Sequence, residues 1–288
     1  MPLRQSLFLP VLAAILSASM LSNLAARANA QNSEKYASIV IDVETDQVLH
    51  ARHADALRYP ASLTKVMTLY MVFDALKAGE LSLHERLPVS YKASRQPPSK
   101  LGLKPGHSIT VDQAVRALIA KSANDVAVVV AERLGASEER FAALMTVKAA
   151  TLGMHSTRFF NASGLPDARQ VSTARDLSRL AEAMIDDHPE YYAYFSTPSF
   201  YWNGRTYKNH NKLLADVPGV DGLKTGYTRA SGYNLMTSAT RDGQRVIAVM
   251  LGGRSARVRN AHVEDLVETA FAALGPSESP TLRAKLSF

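Results

Sequence analysis

Apolar residues follow two patterns in different parts of the chain. Near both ends they form short β-branched and aromatic stretches, separated by turn residues such as Asn203-Gly204 and Asp242-Gly243. This pattern predicts strands, with a two-residue hairpin turn at Asn203-Gly204. The predicted strands are 36–43, 47–53, 200–202, 205–207, 222–228, 233–240 and 245–251.

The middle of the chain instead carries apolar residues at helical spacing. The first helix begins near Ser62 and ends before Gly79, and Thr173 opens a later one with a capping box. Strands at both ends with helices between them indicate an α+β fold, in which one antiparallel sheet is built from both termini around an all-helical insertion. The further predicted helices are 111–121, 125–134, 138–153, 173–185 and 261–274.

The first thirty residues have the pattern of an export signal. Arg4 precedes an apolar run over 7–21, and Ala28-Asn29-Ala30 places small residues where a signal peptidase cleaves. The run is shorter than the roughly 20 apolar residues of a spanning helix. We therefore predict that 1–30 is a signal peptide, the alternative being an uncleaved N-terminal anchor.

Composition excludes several classes of function. The chain contains no cysteine, which rules out disulfides and a lipid-anchored N-terminus. Cleavage after Ala30 would leave 31 basic and 26 acidic residues, a net charge of +5, which suits an anionic wall only weakly. The eight histidines are scattered, without a metal-binding pair, and no nucleic-acid motif is present. We expect no metal, no cofactor and no nucleic-acid partner.

Ser62 and Lys65 are candidates for a nucleophile and its base. Positions i and i+3 share one helix face, and the first turn of a helix favours negative charge on a reacting oxygen. A lysine base needs a pKa roughly three units below 10.4, which burial and a second cation can produce. Lys224 is the candidate second cation. The alternative is an ordinary helix cap followed by a surface lysine.

Two further motifs supply the remaining chemistry. Ser122-Ala123-Asn124 lies between two predicted helices, where the hydroxyl could relay a proton to a leaving amine and the Asn124 amide could bind a peptide group. In Lys224-Thr225-Gly226, the first two residues could hold a carboxylate, and Gly226 would let the substrate backbone approach closely. Ser-x-x-Lys, a serine triplet and Lys-Thr-Gly in this order are a known acyl-transfer set.

With these motifs, the chain resembles the low-molecular-weight penicillin-binding proteins, which are serine-type D-Ala-D-Ala carboxypeptidases with a β-lactamase-like fold. The resemblance runs from about Tyr36 to Leu274. It also includes Ser122-Ala123-Asn124-Asp125, Asn161-x-x-Gly164-Leu165, Ser172-Thr173-Ala174, Asp221-Gly222-x-Lys224-Thr225-Gly226-Tyr227-Thr228 and Gly232-Tyr233-Asn234-Leu235.

The resemblance implies a role for each motif. Ser62 would attack the carbonyl between two terminal D-alanines of a peptidoglycan stem peptide, and Lys65 would take its proton. The backbone N–H groups of Ser62 and Tyr227 would hold the oxyanion. Ser122 would assist the departure of D-alanine, and β-lactams would trap Ser62 as a slow ester.

The terminal carboxylate would be bound by Lys224 and Thr225. Arg259 matches a family arginine near that carboxylate, although it could equally be a surface arginine beside Arg254 and Arg257.

Three rival functions share parts of this pattern. A class A β-lactamase would need a glutamate to activate the deacylating water, and 159–169 contains none. An inactive binder of wall peptides would not need a primed nucleophile. A D,D-endopeptidase would use the same site on a longer substrate, so the sequence does not separate it from a carboxypeptidase.

Many members of the family carry a second, β-rich domain and a C-terminal amphipathic anchor. Only 62 residues follow Gly226, and most belong to the last predicted strands and helix. We therefore expect one catalytic domain over 31–274, a loose tail over 275–288, no membrane anchor after signal cleavage, and a periplasmic or secreted enzyme.

Overall fold

The computed structural model describes residues 34–275, so the predicted signal peptide and almost all of the predicted tail lie outside the described residues. A five-stranded antiparallel sheet has the order β2-β1-β9-β8-β7. Its strands are β1 (Ala37–Asp42), β2 (Val48–Arg52), β7 (Val220–Thr228), β8 (Gly232–Arg241) and β9 (Gln244–Gly253). The prediction of one sheet built from both termini is confirmed, because Ala37 of β1 pairs with Leu251 of β9.

Helices fill the segment between the two halves of the sheet, as predicted. They are α1 (Thr64–Lys77), α2 (Tyr91–Ser94), α3 (Val111–Arg116), α4 (Asn124–Gly135), α5 (Glu138–Thr151), α6 (Ala174–Asp187), α7 (Pro189–Tyr192) and α8 (Leu213–Asp216), followed after the sheet by α9 (Ala256–Leu274).

Two small two-stranded sheets stand apart from the main sheet. The pair β5 (Ser199–Trp202) and β6 (Arg205–Lys208) turns at Asn203-Gly204, where both residues have positive φ angles of 45° and 79°, as the predicted turn requires. The pair β3 (Arg86–Pro88) and β4 (Ser108–Thr110) was not predicted. Strands of three residues are too short to show an alternating pattern.

Two predicted helices differ from the observed ones. The closing helix begins at Ala256, five residues before the predicted start, because the Ser255 side chain accepts a hydrogen bond from Val258 N and caps the helix there. The predicted helix 111–121 remains α-helical only to Arg116. Ala117–Lys121 is a π turn, which ends at Ser122 in the left-handed conformation.

The sheet separates two apolar layers. The larger core lies between the sheet and the helical segment and includes Met67 and Phe73 of α1 and Val128 of α4. A smaller core packs α9, through Val263 and Val267, against the opposite face. Among the described helices, none has both the length and the apolar character needed to cross a bilayer.

Candidate active site

Ser62 lies in a 3₁₀ turn, Ala61–Leu63, that leads directly into α1. The predicted helix start is therefore correct to within two residues, although the first turn is tighter than an α-helix. This turn meets β7, and Asn234 of β8 donates hydrogen bonds to the carbonyl oxygens of Tyr59 and Pro60 at 3.0 and 3.1 Å. The turn that carries Ser62 is thus held by the sheet.

Two glycines allow the chain to close tightly around this turn. A Cβ on Gly164, whose φ is +82°, would lie 1.8 Å from the Ala61 carbonyl oxygen. A Cβ on Gly226 would lie 3.1 Å from both the Pro60 carbonyl oxygen and Ser62 N. The predicted reason for Gly226 was clearance for a substrate backbone. The absence of a Cβ also lets the turn carrying Ser62 pack closely against β7, and the clearance for a substrate stays a prediction.

Lys65 is fully buried beneath Ser62. Its Nζ lies 3.1 Å from Ser62 Oγ, 2.8 Å from Asn124 Oδ1 and 2.5 Å from the Ser163 carbonyl oxygen. The amide oxygen and the carbonyl oxygen can only accept hydrogen bonds. Both must therefore be served by N–H groups of Lys65, which leaves one position on Nζ facing the Ser62 hydroxyl.

Burial and charge both favour the neutral form of Lys65. Desolvation lowers the pKa of Lys65 well below its usual value, Lys224 lowers it further, and Asp125 acts in the opposite direction. Burial, with a contribution from Arg259, lowers the pKa of Lys224 to about 7. Lys224 is therefore the second cation that the sequence predicted.

Ser122 and Asn124 form the opposite wall. Ser122 adopts φ 58° and ψ 42°, and its buried Oγ has no hydrogen-bond partner among residues 34–275. Asn124 accepts from Lys65 through Oδ1 and donates from Nδ2 to the Pro97 carbonyl oxygen at 2.9 Å. One N–H of the Asn124 amide therefore remains for a ligand.

A buried carboxylate, Asp125, supports this wall; it was part of the resemblance, but no role was predicted for it. It accepts hydrogen bonds from the backbone N–H groups of Leu101, Gly102 and Leu103 at 3.1, 2.8 and 3.0 Å. These contacts fix the loop before β4 against the start of α4. Only its position after Ser122-Ala123-Asn124 marked it in the sequence.

The strand wall is formed by β7 and the first turn of α9. Lys224 is 1% exposed, and its Nζ donates to the Thr225 carbonyl oxygen at 3.0 Å; we find no further acceptor for it within residues 34–275. Arg259 is 4% exposed and donates to the Asn234 carbonyl oxygen at 3.0 Å. Arg259 is therefore not a surface arginine, and burial lowers its pKa to about 10.

The two walls enclose a cleft of about 800 Å³. None of the described residues that line the cleft is acidic. Within residues 34–275, no three His, Asp or Glu side chains lie close enough together to hold a metal ion. Lys65 and Lys224 lie buried behind the lining. Among the predicted site residues, the cleft is lined by Ser62, Ser122, Asn124, Thr225, Gly226, Tyr227 and Arg259.

His210 also lines the cleft and was missed by the sequence reasoning. The two neighbouring asparagines anchor its segment, through bonds from Asn209 to the Thr197 carbonyl oxygen and from Asn211 to the Gly222 carbonyl oxygen. Desolvation and nearby cations, of which Lys224 has the largest effect, lower the pKa of His210 to about 4. The only signal in the sequence was a histidine between two asparagines.

The family model described as D-alanyl-D-alanine carboxypeptidase matches residues 24–255, which is most of the chain. The chain belongs to this peptidase family. The resemblance to low-molecular-weight penicillin-binding proteins is thereby confirmed, and so is the β-lactamase-like fold.

Curated relatives agree with this membership. The chain is 36% identical over 247 residues to the D-alanyl-D-alanine carboxypeptidase DacA of Escherichia coli K12, an alignment covering 83% of this chain and 61% of that protein. It is 32% identical over 243 residues to DacF of Bacillus subtilis, covering 83% and 62%. The chain thus spans about three fifths of the length of these relatives.

Solved structures from the family share the fold. Penicillin binding protein 5 from Haemophilus influenzae is 34% identical with a TM-score of 0.80, covering 82% of this chain and 70% of that one. Penicillin-binding protein D2 from Listeria monocytogenes, in its ampicillin-bound form, is 34% identical with a TM-score of 0.75, covering 82% and 96%.

Proposed function

We propose that the chain is a serine-type D-alanyl-D-alanine carboxypeptidase, which removes the terminal D-alanine from peptidoglycan stem peptides through an acyl-enzyme. The observation that carries the proposal is the environment of Lys65 Nζ. Asn124 Oδ1 and the Ser163 carbonyl oxygen take two N–H groups, so that the lone pair of a neutral amine is directed at Ser62 Oγ. This is the arrangement of a nucleophile and its general base.

In the acylation step, Ser62 Oγ attacks the carbonyl carbon between the two D-alanines, and its proton passes to Lys65 Nζ. The backbone N–H groups of Ser62 and Tyr227 stabilise the oxyanion. When the C–N bond breaks, the leaving amine takes a proton through the Ser122 hydroxyl. The unpaired, buried Oγ of Ser122 supports this role. Water then hydrolyses the ester and restores Ser62.

The terminal carboxylate is bound by Lys224 and Thr225, with Arg259 behind them. Lys224 Nζ has a single acceptor within residues 34–275, and the cleft lining contributes no carboxylate. A substrate anion would supply the missing partner and would favour the charged form of Lys224. The same interaction suits the carboxylate of a β-lactam.

β-Lactams should acylate Ser62 and hydrolyse slowly. A class A β-lactamase uses a glutamate to activate water, and no acidic residue of the described chain lines this cleft. The ampicillin-bound and cefotaxime-bound structures of the Listeria relative support β-lactam binding by this fold. Because peptidoglycan lies outside the cytoplasmic membrane, this function also requires export, to the periplasm or the exterior.

Mass spectrometry after incubation with benzylpenicillin tests the site. We expect a single adduct on the tryptic peptide containing Ser62, absent from Ser62→Ala and retained by Ser82→Ala, which changes an exposed loop serine. Release of D-alanine from a pentapeptide tests the reaction. An adduct on another peptide would overturn the site assignment, and rapid multiple turnover of penicillin would favour a β-lactamase.

A further inference from the structure

Two segments that line the Ser122 side of the cleft contain no acidic residue. They are 86–111 and 193–215. Lys92 is paired with Glu139 at 2.7 Å, but no other lysine or arginine of the two segments has a carboxylate within 4.0 Å among residues 34–275. These other cations are Arg86, Arg95, Lys100, Lys104, Arg205, Lys208 and Lys212.

The two segments meet at Lys121. The hairpin of β5 and β6 packs on the π turn Ala117–Lys121, and Lys121 Nζ lies 5.0 Å from the centre of the Tyr207 ring. From the other segment, Ser99 Oγ donates to the Lys121 carbonyl oxygen at 2.8 Å. Lys100 and Lys121 also line the cleft. The positive surface is therefore continuous with the catalytic site.

The acids nearest to this surface in the chain already have partners. Asp112, directly after the first segment, accepts hydrogen bonds from Arg116 Nε at 3.1 and 3.0 Å and from the Tyr194 hydroxyl at 2.8 Å. Asp125 accepts from three backbone N–H groups of the loop before β4. The positive charge of the two segments is therefore available to an anion from outside.

The hairpin adds an exposed aromatic ring to this surface. Tyr201 is 69% exposed, and so are much of Arg205 and Lys208. The register pairs Ser199 with Lys208 and Tyr201 with Thr206, and alternate residues of a strand share one face. Tyr201 and Lys208 therefore lie on the same face of the hairpin. The apolar face of a sugar ring is a ligand that would remove the tyrosine ring from water.

We propose that Lys100, Lys121, Arg205 and Lys208 form an exosite, a binding surface beside the catalytic residues, for a second stem peptide on the peptidoglycan strand whose first stem peptide occupies the cleft. Each stem peptide ends in a carboxylate, so the strand presents a further anion whenever one peptide is bound. A sugar ring of the strand packs on Tyr201. This inference rests on the proposed function and deepens it, because it makes the polymeric strand, rather than a free peptide, the preferred substrate.

Release of D-alanine from uncross-linked glycan strands carrying pentapeptides, compared with release from the free N-acetylated pentapeptide, tests the exosite. We expect kcat/KM per stem peptide to be higher for the strands, and the difference to shrink in 1 M NaCl, where the Debye length is about 3 Å. Arg205→Gln/Lys208→Gln should lower kcat/KM for the strands about three- to tenfold, the range of two exposed ion pairs, and leave that of the free peptide unchanged. Lys77→Gln/Arg158→Gln, which removes two exposed cations outside the cleft lining, should change neither.

Sedimentation of the Ser62→Ala protein with the strands measures binding without turnover. Adding Arg205→Gln/Lys208→Gln to this protein should weaken binding to native strands but not to strands whose carboxylates are amidated, whereas Tyr201→Ala should weaken binding to both. An equal effect of the double substitution on both polymers, or an equal loss of activity on strands and free peptide, would overturn the exosite. If penicillin labels Ser62 but neither substrate releases D-alanine, the proposed function is wrong, and the sedimentation result still decides whether the exosite binds the strand.

Discussion

Lys224 should lower the stability of the folded protein, because its charge is buried. Lys224 is buried, has one hydrogen-bond acceptor within the described residues, and has a pKa of about 7 instead of 10.5. Replacing it by methionine, which has a similar shape and no charge, should abolish carboxylate binding but make the protein more stable. The buried charge of Lys224 would then destabilise the fold and be retained because it binds the carboxylate of the ligand.

The size of the effect follows from the pKa difference between folded and unfolded chains. A shift from 10.5 to about 7 corresponds to about 5 kcal/mol of destabilisation below pH 7, where both states are protonated. As pH rises from 7 toward 10.5, the unfolded chain binds more protons than the folded one, so this cost fades to about 2 kcal/mol at pH 9. Loss of the hydrogen bond to Thr225 offsets about 1 kcal/mol of the gain.

Urea denaturation of wild type and Lys224→Met at pH 6 and pH 9 measures this directly. We expect the variant to be more stable by about 4 kcal/mol at pH 6 and by about 1 kcal/mol at pH 9. As a control, Lys104→Met removes a lysine charge at an exposed position and should change the stability appreciably at neither pH. Equal effects at both pH values, or a less stable variant at pH 6, would refute the reasoning.

Three further outcomes are expected. Because the pKa of Lys65 is lowered well below its usual value of 10.5, the rate constant for acylation by benzylpenicillin should reach its plateau well below pH 10.5, and a rise that continues to pH 10 would contradict a neutral base. Gly164→Ala should lower the free energy of unfolding, measured by urea titration, by about 3 kcal/mol or more. Gly106→Ala is the control, because Gly106 has a similar φ but no atom within 4 Å of an added Cβ, and it should lower the same free energy by about 1 kcal/mol. Asp125→Asn should lower it by about 2 kcal/mol, and an unchanged melting temperature would show that its three backbone contacts are dispensable.

The parts of the fold that depend on local patterns were predictable from the sequence. Ser62 and Lys65 contact each other because residues three apart lie on one face of a helix. The hairpin at Asn203-Gly204 follows from the positive φ angles that these two residue types adopt readily. The start of α9 was missed because Ser255 caps it without a strong apolar pattern in the first turn. Local rules were therefore sufficient wherever the deciding contact lies within a few residues.

The contacts that complete the site could not be predicted in this way. The Ser163 carbonyl oxygen that binds Lys65 is 98 residues away, and any residue type could supply it, so no side chain marks the position. His210 is placed by bonds from Asn209 and Asn211 to the carbonyl oxygens of Thr197 and Gly222, which any residue type could supply. The packing of Gly226 against the turn that carries Ser62 was not predicted either, because the two segments are distant in sequence.

The pairing of β1 with β9 also affects how the protein reaches its folded state. The first strand of the described chain lies between β2 and β9, and its register joins Ala37 to Leu251, more than two hundred residues later. Closing so long a loop delays folding, and the central part of the sheet stays open until the last strand is available. In a chain emerging from a ribosome, β1 would consequently lack its partner β9 for most of the synthesis, and the sheet would be completed only near the end.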